Sequence, residues 1–464
     1  MDHVVELTHD LPALDGELVA DAAARDAAAD DFGHLVHDRP RAVLRPGSAG
    51  DIAAMLRWAG RQGWKVAARG QGHSVYGRSQ ARDGLVVDMS ALAAVDALSP
   101  GAGAGVGASV GVDRVTVDAG ATWRSVLDAT LPHGRTPPVL TNFLDLSVGG
   151  TLSVGGIGPT THRAGAQTDN VLGLEVVTGD GRILRCSPDE NPDLFHGVLA
   201  GLGQVGVITR AELRLVAAPD RVRSYALRYP DLAALVADER RVLRDGRADH
   251  LQGSVLFDGT GSWVHQLEIA TFVAAGDEPD DDRMLADLSD VRDAAQVQDL
   301  SYADYTTVFD GLVGALRSTG DWDAPHPWFL SFLPGSTVEQ IVGAVLADLT
   351  PDDLGPLGRV LLYPVDASAF STRLLRLPDE PVVFPFNLVR FPPGGAAVAD
   401  EMVARNAAVY ERIRGLGGLL YPVSALPLAG ADWRDHFGPE WDVLAAAVDR
   451  FDPGHVLTPG QGIF

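Results

Sequence analysis

The sequence predicts a protein of mixed helices and strands built as two units, and three observations carry that prediction. At 464 residues the chain exceeds what one hydrophobic core serves well, so two units are expected, with insertion of one into the other left open. Up to about residue 216, short apolar strands alternate with helices between glycine-rich loops. From about residue 217 the glycines thin out and strands alternate with longer helices. With 46% hydrophobic and 21% charged residues, a sizeable core is available to both units.

In order along the chain, residues 1–39 read as a polar, partly helical lead-in and residues 41–46 as a strand. Ser48 caps a helix over 49–62, whose Ile52, Met55, Leu56 and Ala59 share one face. Residues 64–68 and 84–89 are short buried strands around the loop 69–74. The Gly/Ala-rich run 99–111 reads as a surface connector, because no Lys-Ser/Thr pair follows it. A strand over 115–117 leads to a helix over 123–131. Residues 170–179 and 181–186 form a β-hairpin, 192–201 a helix, and 203–215 a strand leaving the first unit. Beyond it come helices over 231–245, 338–349 and 400–416, and strands over 255–257, 263–272, 359–366 and 381–391, with an acidic turn at 276–283. A last helix begins near Asp442 and ends in FDPGHVLTPGQ.

The loop Arg69-Gly70-Gln71-Gly72-His73-Ser74 carries the first chemical signal. Its glycines admit positive φ and bare backbone N–H groups, an arrangement that cradles phosphate without a lysine. A second glycine-rich stretch, 147–158, offers more such donors, and two loops of this kind point to a large diphosphate-bearing cofactor. The net charge of −25 argues against nucleic acid and anionic membrane as partners. A single cysteine, Cys186, excludes an internal disulfide and a cysteine metal site, and reads as a small core residue. The acidic start lacks the features of a signal peptide, and no window has the length and apolarity of a spanning helix, so a cytoplasmic location is expected.

Six motifs in order, GQGHS, DAGATW, GGTLSVGGIG, NVLGLEVVTGDG, GLGQVGVITRAEL and FDPGHVLTPGQGIF, resemble the vanillyl-alcohol-oxidase-type FAD enzymes, and among these cytokinin dehydrogenase. HPW at 326–328 and LLYPVD at 361–366 extend the likeness into the second half. The resemblance implies an FAD-binding domain over 1–216, completed by 421–464, with an α+β substrate domain of antiparallel sheet plus helices inserted over 217–420. It implies a flavin attached covalently through His73, and through that residue alone, because residues 147–158 contain no cysteine. A neutral imidazole is a competent nucleophile for such a bond. The implied FAD cradle comprises Arg69, Gly70, Gln71, Gly72, Ser74 and Arg78 (where the family usually has Gln), then Asn142, Ser147, Ser153, Ile157, Ile208, Thr458 and Gln461.

The main departure lies at the catalytic base. Cytokinin dehydrogenases carry an Asp just before the second glycine loop, where this chain has Asn142. An amide orients donors but accepts no proton. Asp145, three residues on, is a candidate substitute if the backbone turns helically, and otherwise a structural acid. Glu268 stands where the family places a substrate-contacting Glu, and His326 and Trp328 are candidate pocket residues. The implied activity is oxidation of a small organic substrate at a C–N bond; the alternative is a secondary-metabolite tailoring oxidase on an alcohol or amine, with Tyr76, Tyr302, Tyr305 or Tyr363 as candidate base. A flavin-binding protein without turnover is the third reading. Molecular oxygen or another acceptor would reoxidise the flavin.

Overall fold

The computed structural model describes residues 10–98, 113–260, 262–393 and 395–464; the predicted connector at 99–111 lies outside them. Two four-stranded sheets, with a two-stranded pairing of Arg135–Thr136 and Val216–Ala217, form the first part. In one, Ala42–Arg45, Leu85–Asp88 and Val66–Arg69 run parallel, with Glu17–Val19 antiparallel at the edge. The other is wholly antiparallel, in the order Arg114–Asp118, Gly206–Arg214, Val171–Thr178, Ile183–Cys186. The helix Ala49–Gln62 starts where Ser48 Oγ accepts from Asp51 N and ends at Gly63 in the left-handed region. Its Ile52, Met55, Leu56 and Ala59 are fully buried in a core that also holds Trp123, Leu194 and Phe451. The C-terminal segment joins this part, since Thr458 N donates to Val66 O and Val66 N to Val456 O.

A nine-stranded antiparallel sheet forms the second part, running from Gln296–Ser301 at one edge through Arg221–Tyr229, Trp263–Val273, His250–Phe257, Arg359–Leu362, Val382–Val389 and Phe329–Pro334 to Leu419–Leu420, with the ninth strand, Val365–Asp366, also paired to Val382–Val389. Alternation sets what each face carries. Phe329, Phe384, Phe386 and Leu388 bury one face in a core shared with Ile341, Val342 and Ile413 of the helices Val338–Asp348 and Gly395–Gly415. Register places Ser254 opposite Leu361 and Leu361 opposite Asn387 on the other face, which lines the cavities described below.

Two expectations need correction. The strand expected at 255–257 begins at His250, because its polar first residues face the cavities and hide the strand in a hydrophobicity pattern. The lead-in is more than polar filler: Asp31 and Phe32 are buried against the 70–78 loop.

Candidate active site

Parallel pairing of Val66–Arg69 with Leu85–Asp88 sends the chain into the 70–78 loop at one end of the small sheet. The loop is built around absent side chains. A Cβ on Gly70 would fall 1.9 Å from Ser147 Oγ, so glycine lets the two glycine-rich loops touch. Gly72 has φ +66°, and a Cβ there would meet the Arg69 guanidinium. Asp31 pins the loop: its Oδ2 accepts from Ser74 Oγ at 2.8 Å and Gly77 N at 2.7 Å, its Oδ1 from Gly33 N at 3.1 Å. Next to it, Phe32 N donates to Gly72 O at 2.8 Å.

His73 is thereby fixed in an aromatic enclosure. Phe32 stacks on the ring at 4.0 Å, with Phe143 at 4.9 Å and Trp322 and Trp328 at 6.0 and 6.2 Å. The open part of the ring faces a cavity. Burial, and secondarily the neighbouring His326, push the imidazole pKa down to about 3, so the ring is neutral at physiological pH.

That cavity has a volume of about 370 Å³ and joins the two parts of the molecule. Gly70, Gln71, Gly72, His73, Ser74, Arg78, Asn142, Ser147, Ser153, Ile157, Ile208, Thr458 and Gln461 all line it. Gln461 Oε1 and Arg78 Nε are buried without hydrogen-bond partners. Arg78 donates to Leu426 O at 2.7 Å, lies under the Tyr76 and Trp433 rings, and makes no ion pair among the described residues. Burial lowers its pKa to about 10, leaving it charged. The glycine cradle and the buried cation without an ion pair fit the diphosphate of a bound cofactor, and the orphaned Gln461 oxygen fits an N–H donor elsewhere on such a group. Arg69 does not line the cavity: its guanidinium donates to Asp30 O behind the loop, which corrects its expected place in the cradle.

A second cavity, of about 330 Å³, adjoins the first beneath the large sheet. Asn142, Thr141, Gln252, Phe309, Leu312, Arg359 and Leu361 line both. Asn142 therefore sits at the junction, where its Nδ2 donates to Gln252 Oε1 at 3.4 Å. Glu268, on the strand paired with Gln252, lines the second cavity and accepts from Gln266 Nε2 at 2.8 Å. Asp145 lines neither cavity. Arg124 holds it at 2.6 Å on the side facing Asp310, so it is corrected from candidate base to ion-pair partner. Trp328 lines the first cavity, whereas His326 stacks behind Phe32 with its ring nitrogens on backbone carbonyls. Of the tyrosines, Tyr363 lines the first cavity, Tyr302 and Tyr305 the second, and Tyr76 neither. Sequence reasoning missed Asp31, Phe32, Trp322, Gln252 and Arg359. A helix or strand pattern gives no signal for them, because each reaches the site only through tertiary contact.

The comparisons agree with this geometry. Residues 40–187 match the FAD binding domain, and residues 260–464 match the domain described as cytokinin dehydrogenase 1, FAD and cytokinin binding. An uncharacterized oxidoreductase of the fasciation locus of Rhodococcoides fascians is 38% identical over 94% of this chain and 96% of its own length. Cytokinin dehydrogenase 10 of Oryza sativa subsp. japonica is 36% identical over 98% of this chain and 90% of its own length. Cytokinin dehydrogenase 4 of Arabidopsis thaliana is 34% identical over 96% and 92%. The crystal structure of 6-hydroxy-D-nicotine oxidase from Arthrobacter nicotinovorans superposes with a TM-score of 0.72 over 97% of this chain and 98% of that one; at 22% identity this is a likeness of fold. With its glycine loops, cavity and these relatives in agreement, the chain belongs to the cytokinin dehydrogenase family of FAD-dependent oxidoreductases.

Proposed function

We propose that the chain oxidises a small organic substrate at a C–N bond, with FAD attached covalently through His73 and an amide, Asn142, in the place of the family's base. The observation that carries this reading is the junction: Asn142 lies where the His73 cavity meets the second cavity, and no carboxylate lines the first among the described residues. FAD bound in the first cavity would supply two-electron redox chemistry. Gly70, Gly72 and Ser147 would let backbone donors approach it, Arg78 would offset its negative charge, and Thr458 and Gln461, which line the same cavity, would help to hold it. His73 is neutral, as a nucleophile for the 8α-methyl must be, and Phe32 holds its ring in one orientation.

Asn142 and Gln252 are joined by one amide–amide hydrogen bond, which leaves one donor and one acceptor edge free whichever way the two amides are turned. The pair orients a polar group of the substrate but takes no proton from it, so isoprenoid cytokinins are expected to be poor substrates. Residues 1–216 and 421–464 form the cofactor-binding unit in this reading and 217–420 the substrate-binding unit. The division is supported by the nine-stranded sheet lying within 221–420 and by the pairing of Val66 with Val456 and Thr458. Anaerobic stopped-flow reduction of the bound flavin by matched amines and alcohols, isopentenyladenine among them, tests the proposal. Amines other than isopentenyladenine should reduce it fastest. Reduction by alcohols alone would overturn the C–N assignment.

A further inference from the structure

We infer that Arg359 is the docking point for an anionic group on the substrate, so that the substrate is an acid rather than a neutral amine. The inference rests on the reading that the second cavity receives the substrate.

Arg359 opens the strand Arg359–Leu362, on the same face as Leu361, and lines both cavities. It is the only lysine or arginine among the described residues lining the second cavity. Its Nε is buried without a hydrogen-bond partner, and no ion pair holds its guanidinium among the described residues. Burial lowers its pKa and Glu268 raises it, so Glu268 is near enough to be felt, yet the two form no ion pair. Glu268 instead accepts from Gln266 on its own strand. A guanidinium turned into a cavity with its fork free is arranged for bidentate contact with a carboxylate.

One charge opposes such a ligand: Glu268, the carboxylate among the described residues lining the second cavity, which is held by Gln266 on its own strand. The residues lining the first cavity include two guanidiniums, Arg78 and Arg359, and no carboxylate. Arg78 is committed to the carbonyls of the C-terminal segment and to the cofactor side, leaving Arg359 for the substrate. The amide at position 142 then gains a reason. A carboxylate there would stand at the same junction and repel an anionic substrate held on Arg359, whereas an amide hydrogen-bonds to it without that cost. Asn142 and Arg359 are thus two halves of one charge pattern.

Calorimetric titration of the purified holoprotein with benzoate and with benzamide tests this, using an anion and its neutral isostere as probes. Wild type should bind benzoate roughly tenfold or more tighter than benzamide, the worth of a charge-assisted pair. Arg359→Gln should bring the two within about twofold, and Arg359→Lys should retain part of the preference. Near-UV circular dichroism would establish that each variant is folded, and the Lys variant keeps the test valid if the Gln variant is not. Equal affinity in wild type, no measurable benzoate binding, or a preference that survives Arg359→Gln would each overturn the inference. Calorimetry needs no turnover. If amines fail to reduce the flavin while the benzoate preference holds, the C–N reading fails and the anion site stands.

Discussion

Replacing Asp31 with alanine should loosen the site from a residue that touches neither cavity. Three donors converge on this buried carboxylate, and their alternatives differ. Ser74 Oγ retains Ser79 Oγ at 3.3 Å, and Gly33 N retains Ser74 O at 3.1 Å. Gly77 N has no other partner among the described residues and becomes an orphaned buried donor. An orphan of this kind costs about 1–3 kcal/mol, and a lost hydrogen bond to a charged group about 1.5–3 kcal/mol. Removing the carboxylate also relieves its own desolvation, which raises the Asp31 pKa in the folded chain. The net expectation is a loss of about 2–4 kcal/mol. For chains of 150–250 residues each kcal/mol moves Tm by ~2–4 °C, and the shift per kcal/mol is smaller for a longer chain. Because Phe32 is the next residue and stacks on His73, flavin content should fall with stability. Scanning calorimetry and the ratio of flavin to protein absorbance measure both. Asp31→Ala with an unchanged Tm and full flavin content would refute the assignment of Asp31 as the anchor of the loop.

Two further outcomes are expected. Asn142→Asp should raise kcat for neutral amines towards the ~10²–10⁴-fold worth of a positioned base, while weakening the binding of acids. A steady-state panel showing no gain for any amine would mean that the base position is not at 142. Stability should also fall on acidification. Burial depresses the pKa of His250 and His436 to about 3 and of His326 to about 4, against an ordinary value near 6.5. Neutral histidines in the fold therefore contribute stability that is complete above about pH 6.5 and is lost as pH falls toward the folded values, at up to about 1.4 kcal/mol per pH unit for each. Urea midpoints taken at intervals between about pH 7.5 and 5 should decline below the ordinary histidine value, and a flat profile would contradict the buried neutral state.

Much of the fold was legible in the sequence where local chemistry decides it. Ser48 and Gly63 bracket the helix 49–62 because capping and left-handed backbone are local properties. The hairpin at 171–186 follows from its Gly-Asp-Gly turn. The glycine loops announced a diphosphate cradle because a close approach of backbone demands glycine. What stayed hidden depends on distant packing. His250 and Gln252 break the hydrophobic pattern of their strand because they face a cavity. Arg359 reads as a strand-edge cation until the sheet turns it inward, and Asp145 reads as a candidate base until Arg124 appears beside it. Arg69 adjoins the glycine motif in sequence, yet its side chain points behind the loop.

The most direct test of the whole account is where the flavin goes when the protein is denatured in acid. Trichloroacetic acid precipitation of the purified protein should leave the yellow chromophore in the pellet, with a flavin-bearing peptide containing His73 after proteolysis. His73→Ala should release any bound FAD into the supernatant. Wild-type protein that yields all its FAD to the supernatant, with a colourless pellet, would contradict the covalent link at His73.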